Sequence, residues 1–417
     1  MFANANFCFT KWRFFDIRNN VTVMPFSYNK LWNLLSSRNL KKSDLRSIAG
    51  LSSSTIAKLS QNKVVQTDVL ERICSVLNCN LNSIVEMVHD NSVYSTELQV
   101  QEESKPPRYS VVSLFSGCGG LDLGFRGGFS SLGKMYPFTS FDIIWANELN
   151  PYACQTYIEN VHHQIIEGDI VDCFDKLPAY ADVIIGGFPC QDISINGKMA
   201  GVVDGKRSGL YVWMVSAVKA LRPKVFIAEN VKALLLSRHA ASLRKVVEDF
   251  SSIGYNVSFE LYDAADYGVP QCRERVIIVG VRKDLNATFT PPRPVTSHSK
   301  RITAQEALQD LEILDENSSI NHIWSRAKPS SGQGLRYLTA DEPATTMRSE
   351  CHGNIQFHYK LPRRISMREA ARLQSFPDDF LFSCGIRQME RMIGNAVPPV
   401  FAWHIAQSVL ETLKSAE

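Results

Sequence analysis

Beyond residue 108 the chain alternates between short apolar runs and helical patterns, and this alternation limits the fold more than any other feature. Strand-like runs recur at 111–115, 141–146, 164–166, 183–185, 225–228, 257–262 and 276–281. Helical periodicity fills most of the gaps, at 151–160, 210–221 and 240–252. Such a rhythm builds an open, mostly parallel α/β sheet with helices on its faces. The last two runs have no helix between them, so an antiparallel edge pair is expected there, making the sheet mixed.

Parallel sheets bind ligands at the carboxyl ends of their strands, and here those ends carry polar groups. The first run leads into Phe115-Ser116-Gly117-Cys118-Gly119-Gly120-Leu121, a glycine-rich turn that lets backbone approach a nucleotide-like cofactor. On its own this signals little more than a tight turn. The second run ends in Glu148, an acid placed to pair with ribose hydroxyls. The third ends in Gly168-Asp169-Ile170 and the fifth in Glu229-Asn230-Val231. The distance from turn to acid exceeds that of a dinucleotide fold, which weakens a dehydrogenase reading and suits an adenosyl group.

The fourth run ends in Gly186-Gly187-Phe188-Pro189-Cys190-Gln191. Two glycines permit a sharp turn and close ligand approach, and Pro189 fixes a dihedral just before Cys190. A thiol at the lip of a sheet is badly placed for packing and well placed for attack. A buried structural cysteine is the competing reading.

The remainder of the chain sets the context. With 417 residues, two or three domains are expected. A net charge of +3 permits a polyanionic partner without requiring one. Ten cysteines without a C-x-x-C pair argue against zinc or a disulfide framework, so no metal is expected. No apolar run approaches the ~18 residues of a membrane span. Residues 1–27 read as an extension, with Met24 an alternative start. Residues 28–88 have helical periodicity: Leu31, Trp32, Leu34 and Leu35 share a face, Gly50 closes a second helix, and Ser52-Ser53-Ser54 offers caps for a third. Two further helices are expected at 68–77 and 81–88. This all-α segment resembles the small helix-turn-helix DNA-binding domains of the phage Cro and repressor type. That resemblance implies a third helix in the major groove, turning Ser53, Ser54, Thr55, Lys58 and Gln61 toward DNA. A helical protein-interaction module is the competing reading. Polar residues 89–108 read as a linker.

Five segments then occur in order: Phe-Ser-Gly-Cys-Gly-Gly at 115–120, Pro-Cys-Gln at 189–191, Glu-Asn-Val at 229–231, Gln-Cys-Arg-Glu-Arg at 271–275 and Ile-Gly-Asn-Ala-Val-Pro-Pro at 393–399. Together they closely resemble the bacterial DNA (cytosine-5)-methyltransferases over residues 109–415. The resemblance implies a Rossmann-like methyltransferase sheet that uses S-adenosylmethionine. It assigns Phe115, Gly117, Gly119, Gly120, Glu148, Asp169, Ile170, Pro189, Leu210, Asn395 and Ala396 to the cofactor. Phe115 would stack on the adenine, Glu148 would bind the ribose, and Asp169 would meet the adenine amine. Asn395, in a Gly-Asn turn, would return to the pocket. Cys190 would add to carbon 6 of cytosine, Glu229 would donate to N3, and Arg273 and Arg275 would orient the base and supply positive charge. Two positions depart from the family pattern: Ser113 where many relatives are acidic, and Leu149 where an aromatic is common.

The segment 191–209, with four glycines and three cations, reads as a loop closing on DNA phosphates. The α/β rhythm stops at 284–361, which is expected to be the target-recognition domain, between a catalytic domain at 109–283 and a closing segment at 362–417. There Gln333 would fill the gap left by an extruded cytosine, while Thr346, Arg336 and Arg348 would contact DNA. A helix is expected over 364–380 and a final one at 401–413.

These readings describe a sequence-specific enzyme acting as a monomer on double-stranded DNA, the modification partner of a type II restriction–modification system. It would work in the bacterial cytoplasm at the nucleoid. Promoter DNA is a second expected partner, through the N-terminal module. RNA cytosine methylation, and a repressor carrying an inactive enzyme domain, are the alternatives. Amino-group methylation is disfavoured, because Phe-Pro-Cys-Gln stands where those enzymes carry a Pro-Pro-aromatic motif.

Overall fold

A computed structural model of the chain describes residues 26–38, 40–63, 65–77, 79, 81, 84–87, 108–162, 164–188, 209–326, 336–348 and 356–416. Pro189, Cys190, Gln333, the 191–208 part of the glycine-rich loop, and most of the N-terminal extension and linker lie outside the described residues. The chain divides into two compact units, 1–103 and 104–417.

The first unit holds β1 (Phe26–Ser27), α1 (Asn29–Ser37), α2 (Lys42–Ile48), α3 (Ser53–Ser60), α4 (Thr67–Val76) and β2 (Glu86–Met87). Tyr28, Leu31, Leu35, Leu45, Leu59 and Ile73 close its core. Ser52 caps α3, its Oγ accepting from the Thr55 amide at 3.1 Å. The helix expected at 81–88 does not form. Glu86–Met87 pairs antiparallel with Phe26–Ser27 instead. So short a segment, with β-branched Ile84 and Val85 in it, makes a weak helix, and the ladder satisfies backbone groups there.

The second unit contains β3 (Tyr109–Leu114), α5 (Gly120–Arg126), β4 (Phe129–Ser131), β5 (Lys134–Tyr136), β6 (Phe141–Glu148), α6 (Pro151–Asn160), β7 (Ile166–Glu167), α7 (Ile170–Cys173), β8 (Val183–Gly187), α8 (Leu210–Leu221), β9 (Val225–Val231), α9 (Ala240–Ser252), β10 (Tyr255–Asp263), β11 (Gln271–Cys272), β12 (Glu274–Arg282), α10 (Ala304–Leu308), β13 (Ala344–Thr345), α11 (Met367–Leu373), α12 (Ile386–Asn395) and α13 (Pro399–Ser415). Seven strands form one sheet in the order β10-β12-β9-β8-β3-β6-β7. Neighbours from β9 to β7 run parallel, and β12 lies antiparallel to both β9 and β10.

Both faces of this sheet are covered, as near-continuous apolar strands require. Val111, Val183, Ile185, Val225 and Ile227 face one core with α5 and α13. Val112, Leu114, Ile184, Phe226 and Ala228 face the other with α8 and α9. Strand β3 is flanked by β8 on one side and β6 on the other. The connections therefore diverge at its carboxyl end, where a doubly wound sheet opens a crevice.

The region after β12 loses the sheet rhythm but stays anchored to it. β13 pairs in parallel with β11, Gln271 opposite Ala344 and Cys272 opposite Thr345. The helix expected over 364–380 is shorter than that: only α11 forms, capped by Ser366 and Glu369. Before the final helix lies α12, which the sequence reading did not anticipate, and Asn395 is its last residue rather than part of a turn. α13 packs on α5 so closely that a Cβ on Gly124 would come within 2.3 Å of Ala402 Cβ.

Candidate active site

A cavity of about 580 Å³ occupies the crevice at the strand ends. It is lined from β3 and its turn (Phe115, Gly117, Gly120), from β6 (Glu148), from β8 (Gly186, Gly187), from β9 (Glu229) and from the end of α12 (Asn395, Ala396). Leu210, Arg273 and Arg275 complete it among the expected residues.

The glycine-rich turn is shaped by backbone that side chains resist. Phe115 sits at φ +57° and Gly119 at φ +87°. A Cβ on Gly119 would meet Val161 at 2.6 Å and Tyr157 at 2.8 Å, so α6 seats directly on the turn. Glu148 binds the turn from the other side: its Oε2 accepts from the Gly117 amide and its Oε1 from the Asn150 amide, both at 2.9 Å. Asn147 ties the ends of β6 and β7 by donating to the carbonyls of Ile166 and Gly168.

Asp169 and Ile170, expected at the adenine, are not among the residues lining the cavity. Asp169 caps α7, with its Oδ1 accepting from the Val171 amide at 3.1 Å, and Ile170 is buried beneath. Gly119 stands behind the turn rather than on the cavity wall.

On β9 and β12, Arg275 Nε lies 2.7 Å from Glu229 Oε1, with both side chains largely buried. Gly187 makes room for this pair, since a Cβ there would lie 3.0 Å from Glu229 Oε2. The expectation that Arg273 also orients a base meets a different geometry. Arg273 is buried, and its Nη groups donate to the carbonyls of Met347 (3.0 Å), Gly394 (2.8 Å) and Ala396 (2.9 Å). Burial, with Arg275 nearby, pulls its guanidinium well below the usual arginine range.

Asn230 escaped the list of expected site residues although it stands inside the Glu-Asn-Val segment. Buried at 2% exposure, it donates from Nδ2 to the Phe188 carbonyl at 2.8 Å. It thus fixes the backbone one residue before Pro189. Asp122 was also missed. It is fully buried at the cavity wall, and Tyr157 donates to its Oδ1 at 2.9 Å. Burial pushes its carboxyl up to about 6, against hydrogen bonds from Ser113 and Tyr157. Cys118 also lines the cavity, but burial raises its thiol to about 12, which leaves it inert near neutral pH.

Of the residues expected to face DNA, Arg336 and Arg348 are exposed. Thr346 is half-buried, and its hydroxyl donates to the Cys272 carbonyl at 2.7 Å. In the N-terminal unit Ser53, Ser54, Lys58 and Gln61 are exposed along α3.

This geometry agrees with what similarity to known proteins shows. The model for the C-5 cytosine-specific DNA methylases matches residues 109–336 and 317–411. The chain belongs to that family. It is a DNA (cytosine-5)-methyltransferase. A second model, for Cro/C1-type helix-turn-helix DNA-binding domains, matches residues 30–90. The methyltransferase is 36% identical over 333 residues to the type II methyltransferase M.NgoFVII of Neisseria gonorrhoeae, covering 72% of this chain and 86% of that one. It is 33% identical over 346 residues to M.FnuDI of Fusobacterium nucleatum, covering 74% and 96%. Among solved structures, a prophage-encoded E. coli protein described as a DNA modification methyltransferase aligns at TM-score 0.57 and 25% identity, over 73% of this chain and 99% of that one. The Dnmt2 methyltransferase of S. pombe shares the fold at TM-score 0.53 and 19% identity, with the same coverage. Family and fold imply S-adenosylmethionine as the methyl donor. No helix among the described residues is long and apolar enough to cross a membrane.

Proposed function

We propose that the methyltransferase is the modification enzyme of a type II restriction–modification system, as its relatives are named, and that it marks one cytosine within a defined duplex sequence. The observation that carries the site assignment is the meeting of four of the five ordered segments at one cavity: 115–120, 229–231, 271–275 and 393–399. The fifth, with Cys190, follows directly on Phe188, which lines the same cavity.

The cavity suits the donor's parts. Phe115 offers a ring for the adenine, Glu148 a carboxylate for the ribose diol, and the bare glycine backbone a seat for the amino-acid tail. Leu210, Asn395 and Ala396 close the wall, and Asp169, which is not part of that lining, is assigned to the adenine amine. When bound, the donor supplies an electrophilic methyl group. The residues prepare its acceptor.

Carbon 5 of cytosine is too weak a nucleophile unless carbon 6 first gains an electron pair. The Cys190 thiolate forms the bond to carbon 6, and electron density moves toward N3 and carbon 5. Glu229 hydrogen-bonds N3 and the exocyclic amine, supporting a proton at N3 as that charge develops. Arg275, already paired with Glu229, holds the base by its carbonyl oxygen. After transfer, the carbon 5 proton leaves and the Cys190–carbon 6 bond breaks, restoring the ring. The base must leave the helix to reach this site, and Gln333, Arg336, Thr346 and Arg348 are assigned to the duplex around it.

The N-terminal unit, with exposed Ser53, Ser54 and Lys58 on a capped α3, supports binding of promoter DNA and control of the system's own transcription. Catalysis on a single site needs one chain, so the enzyme acts as a monomer in the cytoplasm, at the nucleoid. Methyl transfer from labelled S-adenosylmethionine to unmethylated phage λ DNA, beside transfer RNA, tests the substrate class. Incorporation into DNA alone is expected, and incorporation into transfer RNA alone would refute this function.

A further inference from the structure

A buried polar network sits where the catalytic sheet, the recognition region and the cofactor wall meet. Met347 is held at both main-chain groups: its amide donates to Gln271 Oε1 at 2.9 Å, and its carbonyl accepts from Arg273 at 3.0 Å. Gln271 donates from Nε2 to Gln374 Oε1 at 2.6 Å. Gln374 in turn donates to the carbonyls of Ile393 (2.7 Å) and Ala396 (3.0 Å). Ala396 therefore accepts from Gln374 and from Arg273 at once. All three side chains are at most 1% exposed.

We propose that Arg273, with Gln271 and Gln374, is a positioning unit that couples target-DNA engagement to retention of S-adenosylmethionine. The inference rests on the methyltransferase function above. Its two ends carry the ligand-facing groups. Met347 lies between Thr346 and Arg348 on the recognition side, while Ala396 and Asn395 line the cofactor cavity. A shift of Met347 pulls on one Nη of a planar fork whose other Nη holds Gly394 and Ala396. Buried donors without acceptors are costly, so the network is held best with both segments in register. Filling space alone would be met by apolar side chains. Instead, three long polar side chains converge on the main chain of two segments that face different ligands.

The test measures S-adenosylhomocysteine affinity with and without unmethylated phage λ DNA, for the wild type, Arg273→Lys and Gln374→Met. Lysine keeps the charge but cannot reach both segments, and methionine keeps Gln374's volume without its donors. The wild type should bind S-adenosylhomocysteine about 5- to 150-fold more tightly with DNA present, the usual range of coupling between sites. Each variant should cut that gain to within about twofold, the gain being read as the ratio of affinities with and without DNA for the same variant, so that any weakening of binding to the free enzyme cancels. Melting temperatures are measured beside these, so that Gln374→Met carries the test if Arg273→Lys fails to fold. An unchanged gain in a folded variant overturns the proposal, as does absence of any gain in the wild type. Wild-type methyl transfer to the same λ DNA reports separately on the function it rests on.

Discussion

Arg275 Nε stands 2.7 Å from Glu229 Oε1 across two antiparallel strands, and Glu229 itself lies in register with Gly187 on the strand at its other side. The pair can exist only because β9, β12 and β8 lie side by side, and Gly187 opposite Glu229 leaves the carboxylate its space. Glu229→Gln keeps the shape and removes the ionisable group. Single-turnover methyl transfer should slow by about 10²- to 10⁴-fold, the usual contribution of a positioned acid, with DNA binding little changed. A loss below tenfold would remove Glu229 from the proton-handling role.

Asn230 offers a separate test, because its amide is committed to the Phe188 carbonyl. Asn230→Ala leaves the Phe188 carbonyl without its partner, a loss of about 1–3 kcal/mol when buried. Phe188, two residues before Cys190, should lose its set position. The expected signature is a fall in kcat of about tenfold or more at unchanged KM for S-adenosylmethionine. A pure loss of thermal stability with normal kcat would show a structural role only.

Asp122 predicts a pH dependence of stability. Its carboxyl is raised by burial from 3.8 to about 6, so the unfolded chain ionises it first. As pH rises from about 4 to 6 unfolding releases a proton, and the folded state is progressively disfavoured; above 6 the penalty is constant. Asp122→Asn removes that penalty, and its amide oxygen still accepts from Tyr157. Denaturant unfolding should show the variant gaining on the wild type by up to about 3 kcal/mol between pH 4 and 6.5. A pH-independent difference would contradict the buried, raised carboxyl.

The sheet was legible because its signals are local. The helices at 151–160, 210–221 and 240–252 appear at those bounds, the first opened by Pro151 at its N-terminus and capped by Asn150. The parallel strands read as short, largely apolar runs. What escaped the sequence depends on distant partners. Arg273 bonds to residues 74, 121 and 123 positions away, so no local pattern separates it from Arg275. Likewise Arg368 is buried under the carbonyls of Ile320, Pro377 and Phe380, and organises an irregular stretch that has no periodicity to read. α12 was overlooked because its charged face and terminal Gly394-Asn395 resemble a loop ending in a turn. Asp122 was hidden inside α5, a short helix buried from Gly120 to Phe125 that follows directly on the glycine-rich turn.

If Cys190 adds to a cytosine of duplex DNA, the adduct can be trapped on a base that cannot complete the reaction. The wild type and Cys190→Ser are each incubated with labelled S-adenosylmethionine and duplex DNA bearing 5-fluorocytosine. Fluorine cannot leave carbon 5 as a proton does, so the wild type should remain covalently joined to methylated DNA through denaturing electrophoresis, and the serine variant should not. A trapped complex that persists without the thiol, or no complex on DNA of broad sequence content that the wild type demonstrably methylates, would contradict this mechanism.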